Sequence, residues 1–352
     1  MASDTPVPAT MQAITFSKYG DSSVLEHGNV ATPLLSDKDT HCILVRVHAA
    51  GVNPADYKVR KGDMATMVKM HFPAIPGLDY AGVVAAVHSG YSGLLKVGDR
   101  VYGKTGEMQD KGAYAQYIKL DTKLDLVVPL PENVSFNDAG GVAVVALTAY
   151  VGLVPYGGLS KNVAENAGRR VLVIGASGGV GMFVVQMAKL LGAHVTAVAS
   201  GKNKDFVVNT LKADTFVDYT LAPLAEQLPA KNEFDVIYDA VAGDDGKNWE
   251  LAQTILKPSG LFVSPVPPFD GPVSVGNMTS MMGTLAWRAV SSSRRYKFIS
   301  SIPVSDFPVV AQWIAKGSLK LVTSLALPLA EARRAQELSE TGRTVGKIVL
   351  NP

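Results

Sequence analysis

The chain has 352 residues, 47% of them hydrophobic, enough for about two domains with buried cores. Its charges nearly cancel, 33 Lys and Arg against 31 Asp and Glu, so no single-sign field points to nucleic acid or an acidic surface as the main partner. The single cysteine, Cys42, excludes an internal disulfide and a thiolate metal cage, and the opening MASDTPVPAT lacks the marks of a secretory signal or an Arg-rich transit peptide. A cytoplasmic protein with a small-molecule site is expected.

The first third is a series of short β segments separated by turn residues: MQAITFS, CILVRVHAAGV, GVVAAVHSG, GDRVYGK and GAYAQYIKL. Alternation in CILVRVHA puts Ile43, Val45 and Val47 on one face and Cys42, Leu44, Arg46 and His48 on the other, as in a half-buried strand with Cys42 packing. From Ala139 to Ser160 the chain is uncharged and long enough for a membrane span. Its glycines, Thr148, Tyr150, Tyr156 and Pro155, and the α/β pattern beside it, instead favour a buried helix linking two domains.

From about Arg169 strands and helices alternate: RVLVIGA, MFVVQMAKLLG, HVTAVAS, KDFVVNTLKA, TFVDY, FDVIYDAV, WELAQTILKPSG and LFVSPV. Continuous apolar strands separated by amphipathic helices predict a parallel sheet covered on both faces. After Asp306 the texture is mixed, with FPVVAQWIAKGSLK, a strand-like LVTSLALPL, the charged helix EARRAQELSET and a final KIVL strand. The expected class is α/β: a β-rich domain over 1–143, a doubly wound parallel-sheet domain over 144–303, and a return to the first domain over 304–352.

RVLVIGASGGVGMFVVQMAKLLG has the order strand, glycine turn, helix that a dinucleotide site demands. Gly175, Gly178 and Gly181 recur every three residues; the middle one lets backbone approach a pyrophosphate and the last lets helix pack on strand. The helix start offers free N–H groups and a positive dipole end. An NAD site would place a carboxylate at the end of the next strand, but VTAVAS ends in Ser200, followed by Gly201 and Lys202, with no acid before Asp205. Hydroxyl and ammonium suit a 2′-phosphate, so NADPH is the expected cofactor.

The segments AAGVNPADYKVRKG (49–62), PGLDYAGVV (76–84), VGDRVYG (97–103), GAYAQY (112–117), ALTAY (146–150), GASGGVG (175–181), FVDYT (216–220) and GKIVL (346–350) occur in one order over nearly the whole chain. Together they resemble the zinc-free quinone oxidoreductase branch of the medium-chain dehydrogenase/reductase superfamily. The resemblance implies a GroES-like catalytic domain into which a Rossmann domain is inserted. Zinc members carry a Cys after the first GV turn, a His-Glu pair in the next glycine-rich segment, and a third ligand at the start of the linking helix. Here those places hold Asn53, Leu78-Asp79 and no cysteine near Thr148, and His41, His48, His71 and His88 do not restore a metal spacing. No metal is expected.

Without a Lewis acid to stabilise an alkoxide, alcohol oxidation is disfavoured, whereas reduction of an activated C=C or a quinone needs only hydride and donors for the enolate oxygen. The resemblance puts Asn53 against the nicotinamide, although Asn53 followed by Pro54 also reads as a helix N-cap. Lys58 matches a lysine of enone and enoyl reductases, with Tyr57 the competing donor and solvated surface the plain alternative. Thr148 matches a threonine near the nicotinamide ribose, Tyr219 a tyrosine flanking the 2′-phosphate, and Lys347 a lysine reaching the phosphates across the domain cleft. The expected cofactor set is Gly175, Ser177, Gly178, Gly179, Val180, Gly181, Ser200, Lys202, Asn203, Tyr219, Val241 and Lys347.

From Asp270 to Phe298 the chain departs from the compact family pattern, with Met278, Met281, Met282, Trp287 and the basic residues Arg294, Arg295 and Lys297. Core packing or a dimer contact is favoured there over a membrane-surface helix. The expected function is NADPH-dependent, zinc-independent reduction of enones, enals or quinones by a homodimer paired near YKFISSIPV, with no nucleic-acid partner. A trans-acting enoyl reductase and a non-catalytic NADPH-binding protein are the rivals.

Overall fold

The computed structural model describes residues 6–106, 111–229, 231–241, 246–267 and 272–352. The chain forms two compact units, one of Met1–Val144 with Leu321–Pro352 and the other of Val145–Lys320.

In chain order the first unit has β1 (Thr10–Thr15), β2 (Glu26–Ala31), β3 (Cys42–Gly51), α1 (Pro54–Lys61), β4 (Asp79–Val87), β5 (Arg100–Lys104), β6 (Tyr117–Asp121), β7 (Leu126–Pro129) and α2 (Phe136–Ala139). Helix α3 (Ala143–Val151) follows, and the boundary between the units falls within it. The second unit continues with β8 (Arg170–Ile174), α4 (Gly179–Leu190), β9 (His194–Ala199), β10 (Thr215–Asp218), α5 (Leu224–Gln227), β11 (Phe234–Asp239), α6 (Lys247–Ile255), β12 (Leu256–Ser264), α7 (Val275–Ser291), β13 (Arg295–Phe298) and α8 (Phe307–Ala315). The chain then re-enters the first unit with β14 (Thr323–Pro328), α9 (Ala332–Glu340) and β15 (Lys347–Asn351).

Strand β3 organises the first unit, in a sheet of order β14-β15-β3-β4-β5-β7 with β6 also on β3. It is more buried than its alternation predicts, because Cys42 and Leu44 are covered as well as Ile43, Val45 and Val47. Burial pushes the Cys42 thiol up to about 11, which makes it a packing residue with little thiolate. The C-terminal strand β15 pairs antiparallel with the end of β3, Val349 opposite Gly51 and Leu350 opposite Ala50. This pairing brings Lys347 beside the turn that leads into α1.

The second unit is a six-stranded parallel sheet of order β10-β9-β8-β11-β12-β13. Counted within the unit, that is the order 3-2-1-4-5-6 of a dinucleotide fold, whose ligand crevice lies where the order reverses, between β8 and β11. Val171–Ile174 of β8 and Val236–Tyr238 of β11 are apolar and buried, as the centre of a sheet covered on both faces requires.

Three expectations change. The second unit runs on to Lys320 rather than ending at 303, because Phe307, Val310 and Ile314 of α8 are buried, Trp313 packs on Tyr150, and the Gln186 side chain bonds backbone at Lys320 in both directions. KDFVVNTLKA is helical as expected, but Lys204 and Asp205 lead into a π-helical stretch at Phe206–Thr210 rather than a regular α-helix. Segment 272–298 is core only in part: Tyr296 stacks on Phe262, whereas α7 carries an apolar outer face in which Trp287 is 69% and Val290 80% exposed. Arg288 is turned to the other side, stacked over Trp249 and Tyr296. Asp270 lies outside the described residues. Among the described residues no helix is long and apolar enough to cross a membrane.

Candidate functional site

The second unit holds the glycine turn. Gly175 follows β8 with φ +81°, a backbone region that favours glycine, and its missing side chain leaves room for Val241 and Ala240 at the end of β11. Val241 therefore sits at the reversal of strand order, where its N–H donates to Asp239 Oδ1 at 3.1 Å. Gly178 is the N-cap residue of α4, with Gly179, Val180 and Gly181 forming its first turn. Backbone N–H groups at the start of this 12-residue helix suit a pyrophosphate. At Gly181 a Cβ would stand 2.1 Å from the Gly175 carbonyl oxygen, so helix and turn meet backbone to backbone. These features fit a nicotinamide dinucleotide.

A polar turn follows β9. Asn203 Nδ2 donates to Ser177 Oγ at 3.0 Å and lies 3.4 Å from Ser200 Oγ, joining three residues of the expected cofactor set. Lys202 is exposed in the same turn. Tyr219 follows β10, its N–H 3.4 Å from Ala199 O, and at 57% exposed it is no core aromatic. A carboxylate that sequence reasoning did not place, Asp218, stands beneath this turn; it accepts from Thr220 N–H and Oγ1 and from Gly201 N–H, which hold it below the ordinary carboxylate range. Thr148 is buried in α3, and its carbonyl accepts from Tyr238 Oη at 2.9 Å.

The first unit holds a second cluster. Asn53 is the N-cap residue of α1 and only 1% exposed, yet its side chain faces charge: Nδ2 donates to Asp79 Oδ2 at 3.0 Å, and Oδ1 accepts from Lys347 Nζ at 2.7 Å. Asn53 is thus the N-cap of α1, one of its two expected readings. Asp79 Oδ1 accepts from Val144 N–H near the start of α3, where a carboxylate favours the helix. Asp56, three residues into α1, accepts from Asn53 N–H and Tyr114 Oη at 2.8 and 2.9 Å. Burial raises both Asp56 and Asp79, opposed by these hydrogen bonds and by Lys347, and burial lowers Lys347 against the pull of the two acids.

Lys347 is thus placed differently from its expected reach to a phosphate. It is 4% exposed, and its ammonium donates to Val52 O and Asn53 Oδ1 within the first unit. The physical reason is the pairing of β15 with β3, which turns the start of β15 onto the α1 entry turn. Tyr57 and Lys58 are half-buried on α1. Burial, with Glu340 and Asp63 nearby, raises the Tyr57 phenol, and Lys61 stands 5.3 Å from its ring centre. Asp56, Asp79 and Tyr114 went unrecognised in the sequence as members of a site. The Asn53-x-x-Asp56 spacing of a capping box was the available signal for Asp56.

An alcohol dehydrogenase GroES-like domain profile matches residues 39–132, and a profile described as zinc-binding dehydrogenase matches residues 211–350. A chloroplastic quinone-oxidoreductase homolog of Spinacia oleracea is 32% identical over 348 residues, covering 97% of this chain and 98% of that protein. The chain belongs to the quinone oxidoreductase-like branch of the medium-chain dehydrogenase/reductase superfamily. A chloroplastic NADPH-dependent alkenal/one oxidoreductase of Arabidopsis thaliana is 30% identical, covering 100% of this chain and 82% of that one. The Escherichia coli quinone oxidoreductase solved with NADPH superposes with a TM-score of 0.75 at 26% identity, covering 97% of this chain and 100% of that one. This member of the superfamily is an oxidoreductase of the quinone and enone type that works with a nicotinamide cofactor.

Proposed function

We propose that the protein is a zinc-independent reductase that takes its electrons from NADPH and reduces the activated C=C of enones and enals, or quinones. The observation that carries this reading is the Ser177–Asn203–Ser200 turn with Lys202 beside it. Hydroxyls, an amide and an ammonium suit a 2′-phosphate, and Asp218 beneath them is already taken up by Gly201 and Thr220. Gly178, Gly179, Val180 and Gly181 hold the pyrophosphate; Val241, Tyr219 and Thr148 complete the cofactor contacts.

When bound, the nicotinamide supplies a hydride. An enone carbonyl gains negative charge as its β carbon is reduced, and the chain's work is to hold that charge. Tyr57, kept protonated by its surroundings, donates to such an oxygen, and Lys58 beside it on α1 is the second donor. The final proton comes from one of these two or from water. Zinc has no place in this chemistry: where zinc members carry ligands, Asn53 and Asp79 are bonded to each other and Lys347 puts a buried ammonium among them, which repels a second cation. A homodimer paired along β13, one of the two edge strands of its sheet among the described residues, completes the reading.

The test is oxidation of NADPH and NADH with methyl vinyl ketone and with benzoquinone, beside NADP-dependent oxidation of simple alcohols, each with and without a chelator. NADPH-driven turnover of enone or quinone that the chelator leaves intact is expected; alcohol oxidation that the chelator abolishes would overturn the proposal.

A further inference from the structure

Asn53 is held by two opposite charges. On one side Lys347 Nζ donates to Oδ1 at 2.7 Å, and on the other Nδ2 donates to Asp79 Oδ2 at 3.0 Å. All three residues are buried, so neither contact competes with bulk water, and a buried charge keeps its partner more strictly than an exposed one. Rotating the carboxamide by half a turn would set NH2 against an ammonium, which has no lone pair to accept, and C=O against a carboxylate, which has no hydrogen to give. Only one orientation satisfies both neighbours.

Each charge is in turn anchored. Lys347 also donates to Val52 O at 2.7 Å, and Asp79 Oδ1 accepts from Val144 N–H at 2.9 Å. Asn53 N–H is bound to Asp56, which fixes the backbone that carries the carboxamide. Among the described residues, with Oδ1 on Lys347 and one Nδ2 hydrogen on Asp79, the hydrogen left over is the second one on Nδ2.

We infer that Lys347 and Asp79 are positioning residues that lock the Asn53 carboxamide in one orientation, so that Asn53 meets its ligand as an N–H donor to a carbonyl oxygen. The inference rests on the reductase reading above for what that oxygen belongs to, and on this chain's own hydrogen bonds for the lock. It gives Lys347 a role in orientation in place of contact with a phosphate. Asn53 neither gains nor loses a proton in it.

The test uses full-length protein, wild type and the variants Lys347→Met, Asp79→Asn and the two combined. Lys347→Met leaves the buried acids Asp79 and Asp56 without their cation and Asp79→Asn leaves Lys347 with one acid in place of two, so each lowers stability; the double variant leaves only Asp56, still held by Asn53 N–H and Tyr114 Oη, and recovers much of it. If the pair serves only to stabilise, turnover of NADPH with an enone returns with stability in the double variant, and that result overturns the inference. The expected result is recovered thermal stability with kcat still about 10- to 100-fold below wild type and the NADPH KM little changed, because a misplaced donor costs rate without changing cofactor contacts.

An arm independent of activity reads the Asn53 side-chain amide by NMR in protein labelled with 15N-asparagine, its signals assigned by their loss in Asn53→Ser. The wild type should show two resolved protons that exchange slowly with water, and the double variant should lose that protection. Unchanged signals in the double variant would overturn the inference. Should the wild type turn over neither enone nor quinone, the functional reading fails, and the NMR arm still decides the lock.

Discussion

Gly181 meets the carbonyl of Gly175 so closely that a Cβ would lie 2.1 Å from that oxygen. The contact ties the first turn of α4 to the end of β8 and sets where the helix N–H groups lie. Gly181→Ala must push helix and turn apart, at an expected cost of about 1–3 kcal/mol in stability together with weaker nucleotide binding. Gly283 in α7 has open space around it, so Gly283→Ala should leave nucleotide affinity alone and stabilise slightly through helix propensity. Thermal unfolding and NADPH titration of the two variants check the contrast; equal effects would remove the backbone contact from the account.

Lys202 governs cofactor choice in this account. Because the side chain is exposed, its contact with a 2′-phosphate lies at the weak end of charge-assisted bonds, and Lys202→Ala should reduce the preference for NADPH over NADH about 10-fold. Titration of both cofactors against wild type and variant reads it directly. Equal affinity of the unmodified protein for the two would contradict the assignment of Ser200, Lys202 and Asn203.

The donor roles proposed for Tyr57 and Lys58 would separate binding from chemistry. A donor whose bond strengthens as charge develops lowers kcat when lost and leaves NADPH affinity in place. Tyr57→Phe or Lys58→Ala should slow single-turnover NADPH oxidation by about 100-fold where water cannot replace the donor. If each variant and the pair keep the wild-type rate, water supplies the proton and neither side chain stabilises the enolate.

The buried acids set a pH dependence of stability whose sign follows from burial. Asp56 is raised above its ordinary value of 3.8, so in the window above that value the native state holds more protons than the unfolded chain. Its contribution to stability is fully present below 3.8 and is lost as pH rises through its native value. Asp56→Asn keeps an oxygen for Asn53 N–H and Tyr114 Oη but cannot ionise, so it should flatten the decline of unfolding free energy with rising pH. Denaturant unfolding at a series of pH values shows this; parallel curves for variant and wild type would contradict it.

How far the sequence carried depended on the range of the interaction. The phosphate loop was legible because a strand, a glycine turn and a helix are contiguous in the chain, and its geometry at Gly175 and Gly181 is local. That Ser200 and Lys202 share the turn after β9 was legible for the same reason. Lys347 was not, since its partner Asn53 is 294 residues away and the two meet only through the pairing of β15 with β3. Helix α7 misled in another way: an apolar helix face reads as core in any sequence, and only the fold shows that Trp287 and Val290 face outward. The end of the second unit was misplaced because α8 belongs by packing to a unit that its sequence texture does not resemble.

The most direct test of the account follows the hydride. NADPH carrying deuterium at the transferring position of the nicotinamide is turned over with an enone, and the product is examined by mass spectrometry and NMR. One deuterium on the carbon β to the carbonyl, in a saturated ketone, is the predicted result. Deuterium on the carbonyl carbon of an alcohol product would contradict the account, because it would mean reduction of C=O by a chain that holds Asn53 and Leu78-Asp79 at the places where the resemblance puts zinc ligands.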